Sequence, residues 1–429
     1  MRRLAAAAFL LAAGAAACVR TPPAPRERSG RNAPPSTYGA AGPVVRVAIA
    51  TAAPGGTLGA TGDWRVYAGA GPGVLLRGAA GEPWRVEQRA RQLRLVRADG
   101  APTRLQDGVL VVRPVDGDAF LTWNGRRYRG ELALSPGAGG LLVVNRVRLE
   151  SYLRGVVPLE MTGRPTEAEQ AAVEAQAVAA RSYALANMSP GGPRAYDLVA
   201  GVRDQVYGGA DAERPATDRA VERTRGLVIT YHGRVANAPY SSTCGGSTAE
   251  TSEVWWRVGP SPYLQRVSDR IPGTADRYYC QASPRFTWTR RYDAGALAAT
   301  VDRYLRDYAT VPARGVGAVR AVSVRGTTPS GRAGALRIDA ERGSYEVRGD
   351  DIRRVLRTAG GEILGSTYFT IEPVVGRDGR LRELTVRGGG NGHGVGMCQW
   401  GALGRARAGQ SFREILQAYY PGTALAPAA

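Results

Sequence analysis

Glu160 is the carboxyl group whose neighbours best suit it to handle a proton. Val156, Val157, Pro158 and Leu159 precede it and Met161 follows. In such company a carboxyl group loses water, its charged form is disfavoured, and its pKa rises toward what a general acid needs near neutral pH. Spacing alone equally permits a carboxylate that caps a helix or pairs with an Arg. Soft ligands and nucleophiles are few: Cys18, Cys244, Cys280 and Cys398, with His232 and His393. Cys398 and His393 are close enough in sequence for a nucleophilic pair, but no third acid or amide is evident beside them. Cys244, Cys280, Cys398 and His393 also form a candidate four-ligand set for structural zinc, although the C-x2-C spacing of a strong zinc motif is missing. His232 precedes Gly233 at a turn and is expected to be exposed. His393 lies between Gly392 and Gly394, where a supporting role in a site is expected.

The elements that must position these residues read as an α+β fold. From Val44 to about Val144, short apolar runs alternate with Gly, Pro and Asp turns, the pattern of antiparallel strands. The texture changes at Leu149. A short helix is expected over Leu149–Val157, stopped by Pro158, which would leave Glu160 in a loop. Thr166 and Glu169 have capping-box spacing ahead of a helix reaching about Asn187, with Val173, Ala177, Ala180 and Ala184 on one face. Gly226 to Tyr240 reads as a hairpin turning at His232-Gly233. A helix is expected near Ala296–Tyr308 and another from Gln399 to Ala408, closed by Gly409. Ser411 and Glu414 then repeat the capping box, with Phe412, Ile415, Leu416 and Tyr419 on one face.

With 429 residues and 44% apolar content the chain can bury a substantial core. The net charge of +20 comes entirely from Arg, since Lys is absent. That charge favours polyanionic surroundings such as lipid head groups or wall polymers. No basic helix, zinc-finger spacing or aromatic–basic sheet motif accompanies it, so nucleic acid is not an expected partner. Arg2 and Arg3, the apolar run Leu4–Ala17 and then Cys18 follow the order of a lipoprotein signal, with Ala15 where that motif usually has Leu. The expectation is an exported chain with a signal segment 1–17, acylation and membrane anchoring at Cys18, and a flexible tether over 18–43.

Tyr152-Leu-Arg-Gly-Val-Val-Pro-Leu-Glu-Met161 resembles the stage II sporulation protein D family of peptidoglycan lytic transglycosylases and its amidase-enhancer relatives. Further matching stretches are Glu174–Ala184, Asp204–Gly208, Tyr240–Thr248, Gly392–Ala402 and Tyr419–Thr423, in the family's order. The resemblance is loose over the β region 44–145; the chain is read as that region followed by a catalytic domain over 146–429 with a β-rich insertion at about 310–385. It makes Glu160 the single acid/base that cleaves glycan strands, stripped of stem peptides, to 1,6-anhydro products. It also implies substrate-facing or supporting roles for Arg181, Ser182, Tyr183, Gln205, Tyr207, Tyr240, Ser241, Ser242, His393 and Gln399. Their amides, hydroxyls and rings suit sugar hydroxyls and pyranose faces. Gly245 and Gly246 would let backbone approach a ligand. Cys244 and Cys280 fall in or beside matching motifs, so a disulfide between them is expected, with Cys398 free. No cofactor is required, and structural zinc is the alternative use of the thiols. The rival functions are a non-catalytic wall-binding enhancer of an amidase and a zinc hydrolase.

Overall fold

The computed structural model describes residues 42–161 and 165–428, so the expected signal segment, Cys18 and all but the end of the tether lie outside the described residues. The fold is α+β. Short turn-bounded strands from Val44 to Arg148 build two sheets. In the seven-stranded sheet Val44–Ala53 lies beside Leu141–Arg148, with Val45 opposite Val147. Its other edge pair is parallel, joining Val47 to Leu198 far downstream. The six-stranded sheet centres on Gly56–Ala60 and Trp84–Arg89. Alternate residues of both sheets point into one core, where Trp64 and Trp84 meet edge to face at 5.0 Å. That core continues past residue 145 into the first helices.

Helix α1 spans Leu149–Glu160 and buries Leu149, Tyr152, Leu153, Val156 and Val157 against the sheets. It runs through Pro158, contrary to the expected stop there. A proline breaks a helix by removing an N–H and crowding the carbonyl four residues back. Here it falls in the last turn, and the Met161 N–H closes that turn on Val157 O at 3.0 Å. Glu160 is therefore the final helical residue and not part of a loop.

Helix α2, Gln170–Asn187, follows a single helical turn at Glu167–Glu169 whose Thr166/Glu169 capping box forms as expected. Its Val173, Ala177, Ala180 and Ala184 face the first core. Ala172, Ala175, Val178 and Ala179 face a second core. A helix apolar all round is a buried one, and small side chains let neighbours approach from both sides. The second core holds Met161, Ile229, all three described cysteines, Ala402 and Tyr419. The hairpin turns at His232 and Gly233, both at positive φ, but its second arm is short. Arg234–Val235 pairs back, whereas Tyr240–Ser241 pairs in parallel with Met397–Cys398. That pairing brings the C-terminal motif to the centre. A third core, running from Tyr292 to Val386, packs the helix Ala294–Tyr304 against two three-stranded sheets. Among the described residues no helix is long and apolar enough to cross a membrane.

Of the substrate-facing or supporting roles expected of it, Arg181 takes the supporting one, inside this packing. Its side chain is fully buried, its Nε and Nη2 bind the two Glu150 oxygens at 2.8 and 2.7 Å, and Nη1 donates to Leu227 O. The pair joins the start of α1 to α2 and to the strand Leu227–Tyr231. Removing one member of a buried pair strands the other, at a cost of about 3–5 kcal/mol. Arg181→Met should therefore lower the free energy of unfolding in urea by about that much, and Arg181→Met/Glu150→Met should recover part of the loss.

Candidate active site

Three segments meet at Glu160. The first is the end of α1 itself. The second is the loop after Leu198–Val199, from which the Val206 N–H donates to Glu160 Oε1 at 2.7 Å. The third is the start of the helix Gln399–Arg407, where Gln399 Nε2 reaches Oε2 at 3.4 Å. Burial pushes the carboxyl above its ordinary range, and the two N–H donors only partly oppose this. The carbonyl end of α1 adds a negative dipole end that also disfavours the carboxylate. No Arg or His lies within 4 Å of it among the described residues. Glu160 opens into a pocket of about 180 Å³ lined by Leu159, Met161, Ser242, Gln399, Trp400 and Leu403. Among the described residues no second carboxylate lines it.

Behind the pocket stands a set of buried and half-buried tyrosines. Gln205 accepts from Tyr152 Oη at 3.0 Å and donates to Tyr240 Oη at 2.8 Å. This clamp fixes the backbone that aims Val206 at Glu160. Tyr183 stacks edge-on to Tyr240, 6.4 Å between centroids, and donates to Asp204. Burial raises both phenols, with the Glu160 charge a further cause, so both stay protonated. Of the expected site residues, Ser242 and Gln399 thus line the pocket with Glu160, while Tyr183, Gln205 and Tyr240 support it.

The others serve the frame. Ser182 Oγ donates to Val178 O and accepts from Ile229 N. Tyr207 lies in the first core, bonded to Asn145 and packed where Gly155 leaves room for its ring. Ser241 Oγ accepts the Gly394 N–H. Gly245 and Gly246, at φ +77° and +110°, are needed for tight packing: a side chain would meet the Gly389–Gly390 backbone or the Tyr278 ring. They present no backbone to the pocket.

His393 Nε2 lies 2.8 Å from Tyr240 O, and Nδ1 accepts from Val395 N, which assigns the hydrogen to Nε2. Burial holds its pKa down to about 4, so the ring is neutral. With both nitrogens committed, His393 neither activates Cys398 nor binds zinc. The expected Cys244–Cys280 disulfide is also absent: the sulfurs are 3.7 Å apart and all three described cysteines are free, against about 2.05 Å for a bond.

Sequence reasoning missed the Val206 amide, which has no side-chain signature, and Trp400 and Leu403, which face the pocket one turn apart on one helix. It also missed Gln176, whose Oε1 accepts from Gln399 Nε2 at 3.3 Å and steadies it.

A family described as stage II sporulation protein matches residues 137–231, and one described as a domain of unknown function matches 274–396. An uncharacterized protein of Brachyspira hyodysenteriae is 32% identical over 312 residues, covering 71% of this chain and 73% of its own. The amidase enhancer of Bacillus subtilis is 33% identical over 299 residues, 64% of this chain but only 40% of that longer protein. Stage II sporulation protein D of the same organism is 28% identical over 300 residues, 66% and 76% of the two chains. The chain belongs to the stage II sporulation protein D family.

The raised Glu160 pKa has a stability consequence. As pH rises past the ordinary carboxyl value near 4.5 the unfolded chain ionises first, so folding weakens until the buried group ionises too. Every tenfold gain in its proton affinity is worth about 1.4 kcal/mol. Glu160→Gln should match the parent's melting temperature near pH 4 and exceed it near pH 7, by scanning calorimetry at both values. Gln399→Leu removes a donor that favours the carboxylate, so the alkaline limb of any Glu160-dependent activity should move to higher pH.

Proposed function

We propose that this chain is a peptidoglycan lytic transglycosylase of the cell envelope in which Glu160 is both acid and base. The observation that carries this reading is a largely desolvated carboxyl with, among the described residues, no cation in ion-pair contact and no partner carboxylate in its pocket. Hydrolases that invert or retain normally need two carboxyl groups, one for water or a covalent intermediate. A single one suffices when the substrate supplies its own nucleophile. Protonated Glu160 gives its hydrogen to the oxygen linking N-acetylmuramic acid to N-acetylglucosamine as the C1–O bond breaks. The resulting carboxylate then takes the proton of the C6 hydroxyl of the same muramic residue while O6 bonds to C1, and Glu160 returns to its starting form. No water is consumed. Val206 N–H and Gln399 steady the carboxylate stage, and the Trp400 ring and Leu403 offer an apolar face for a pyranose.

Family membership supports action on the wall, on strands already stripped of stem peptides. Anchoring through Cys18 and cooperation with an amidase are part of the same proposal. The similarity to an amidase enhancer favours one second reading, a wall-binding protein that stimulates an amidase without cutting glycan. Purified chain on denuded glycan strands separates the two. Release of 1,6-anhydro ends that falls by about 10²–10⁴-fold in Glu160→Gln is expected for the enzyme. Trp400→Ala should act mainly through a raised KM. Binding without anhydro ends, with an added amidase accelerated, would establish the enhancer, and new reducing ends would point to hydrolysis.

A further inference from the structure

Beneath the pocket floor, Cys244 Sγ, Cys280 Sγ, Cys398 Sγ and an Asp269 oxygen all lie within 4.8 Å of one another, and all four residues are buried. We propose that these four side chains bind one structural zinc ion, with Asp269 in the place the sequence offered to His393.

Two of the six separations match the edges of a tetrahedral site, and the rest lie within 4.8 Å. Zn–S bonds of about 2.3 Å and Zn–O bonds of about 2.0–2.2 Å require an S···S edge of about 3.8 Å and an S···O edge of about 3.5–3.6 Å. Cys244 and Cys280 sulfurs are 3.7 Å apart, and Cys244 Sγ is 3.8 Å from Asp269 Oδ2. The surroundings fit thiolates. Cys398 Sγ accepts the Cys244 and Gly401 N–H groups at 3.2 and 3.3 Å. Asp269 is oriented as outer partners orient a metal ligand: Tyr419 Oη donates to Oδ1 at 2.6 Å and Cys280 N to Oδ2 at 3.1 Å.

Charge supplies an independent argument. Three thiolates and a carboxylate around a divalent ion leave a net charge of about −2. Two buried guanidiniums stand beside it. Arg405 Nε is 3.5 Å from Asp269 Oδ1. Arg332 is 1% exposed, enters no ion pair among the described residues, and leaves Nε and Nη1 without hydrogen-bond partners. Its Nη2 donates to Cys244 O at 3.2 Å. A buried cation without a contacting counter-charge is costly; Glu253 and Asp350 act on Arg332 from beyond ion-pair distance, and an anionic centre at Cys244 would add to their effect. A Cys244–Cys280 disulfide would leave Cys398, Asp269 and Arg332 without that explanation. Four protein ligands leave no open position, which marks a structural ion and not a catalytic one. Cys398 adjoins Gln399, so the ion would fix the element that carries a Glu160 partner.

The test uses the full chain purified under reducing conditions from zinc-supplemented cells. One zinc per chain by plasma mass spectrometry is expected. Cobalt(II) in its place should give intense visible bands of a tetrahedral site and near-ultraviolet sulfur-to-cobalt charge transfer. Tyr419→Phe, a change the core should tolerate, should weaken zinc binding about 10–100-fold. Asp269→Asn should alter the cobalt spectrum, whereas His393→Gln and Cys18→Ala should each keep one equivalent. Three alkylatable thiols at these positions in metal-free protein, or a mass about 2 Da low from a Cys244–Cys280 disulfide, would overturn the proposal. So would zinc lost with Cys18 or His393 alone.

Discussion

The site depends on keeping one carboxyl group largely desolvated and out of contact with positive charge. That is demanding in a chain with 57 arginines, because any guanidinium within about 4 Å would hold Glu160 ionised. Among the described residues, arginines on the elements around it are held by other partners. Arg181 on α2 is taken up by Glu150, ten residues before Glu160 on the same helix. Arg407, on the helix that begins at Gln399, is bound by Glu169. Arg405 lies against the rings of Tyr279 and Tyr419, beside Asp269. Glu150 at the start of α1 is thus ion-paired, whereas Glu160 at its other end has no ion-pair partner among the described residues.

Packing explains how three distant segments reach the same carboxyl. Helix α2 lies between two cores, and its run of alanines allows α1 on one side and the Gln399–Arg407 helix on the other to come close. The parallel pairing of Tyr240–Ser241 with Met397–Cys398 draws the glycine-rich C-terminal motif under the pocket. Glycine is required there at Gly394, because a side chain would run into Arg332. His393, neutral and doubly bonded, ties that motif to Tyr240 and through Gln205 to the Val206 backbone.

Much of this was readable in the sequence where local rules decide the outcome. Both capping boxes formed because Thr166/Glu169 and Ser411/Glu414 satisfy N–H groups within their own first turns. The apolar neighbours of Glu160 foretold its dry setting. What the sequence hid was long-range. Arg181 belongs to a motif, yet nothing local says that Glu150 will occupy it. Asp269 is one carboxylate among 37 acidic residues, and only folding brings it to the cysteines. Pro158 signals a helix stop, but its position in the last turn limits the harm, and this moved Glu160 from loop to helix end.

That relocation changes the electrostatics of the proton. At the end of α1, Glu160 faces unsatisfied carbonyl ends that oppose its negative charge. Across the pocket Gln399 opens another helix, whose N-terminal end favours negative charge, and its amide approaches the same carboxyl. The two dipole ends act in opposite senses, and burial is the largest cause of the upward pKa shift. A group held in that balance can release a proton without becoming trapped as the carboxylate and can recover one without becoming inert as the acid. The two proton transfers proposed for Glu160 would draw on this, and a salt-bridged glutamate would fail at the first.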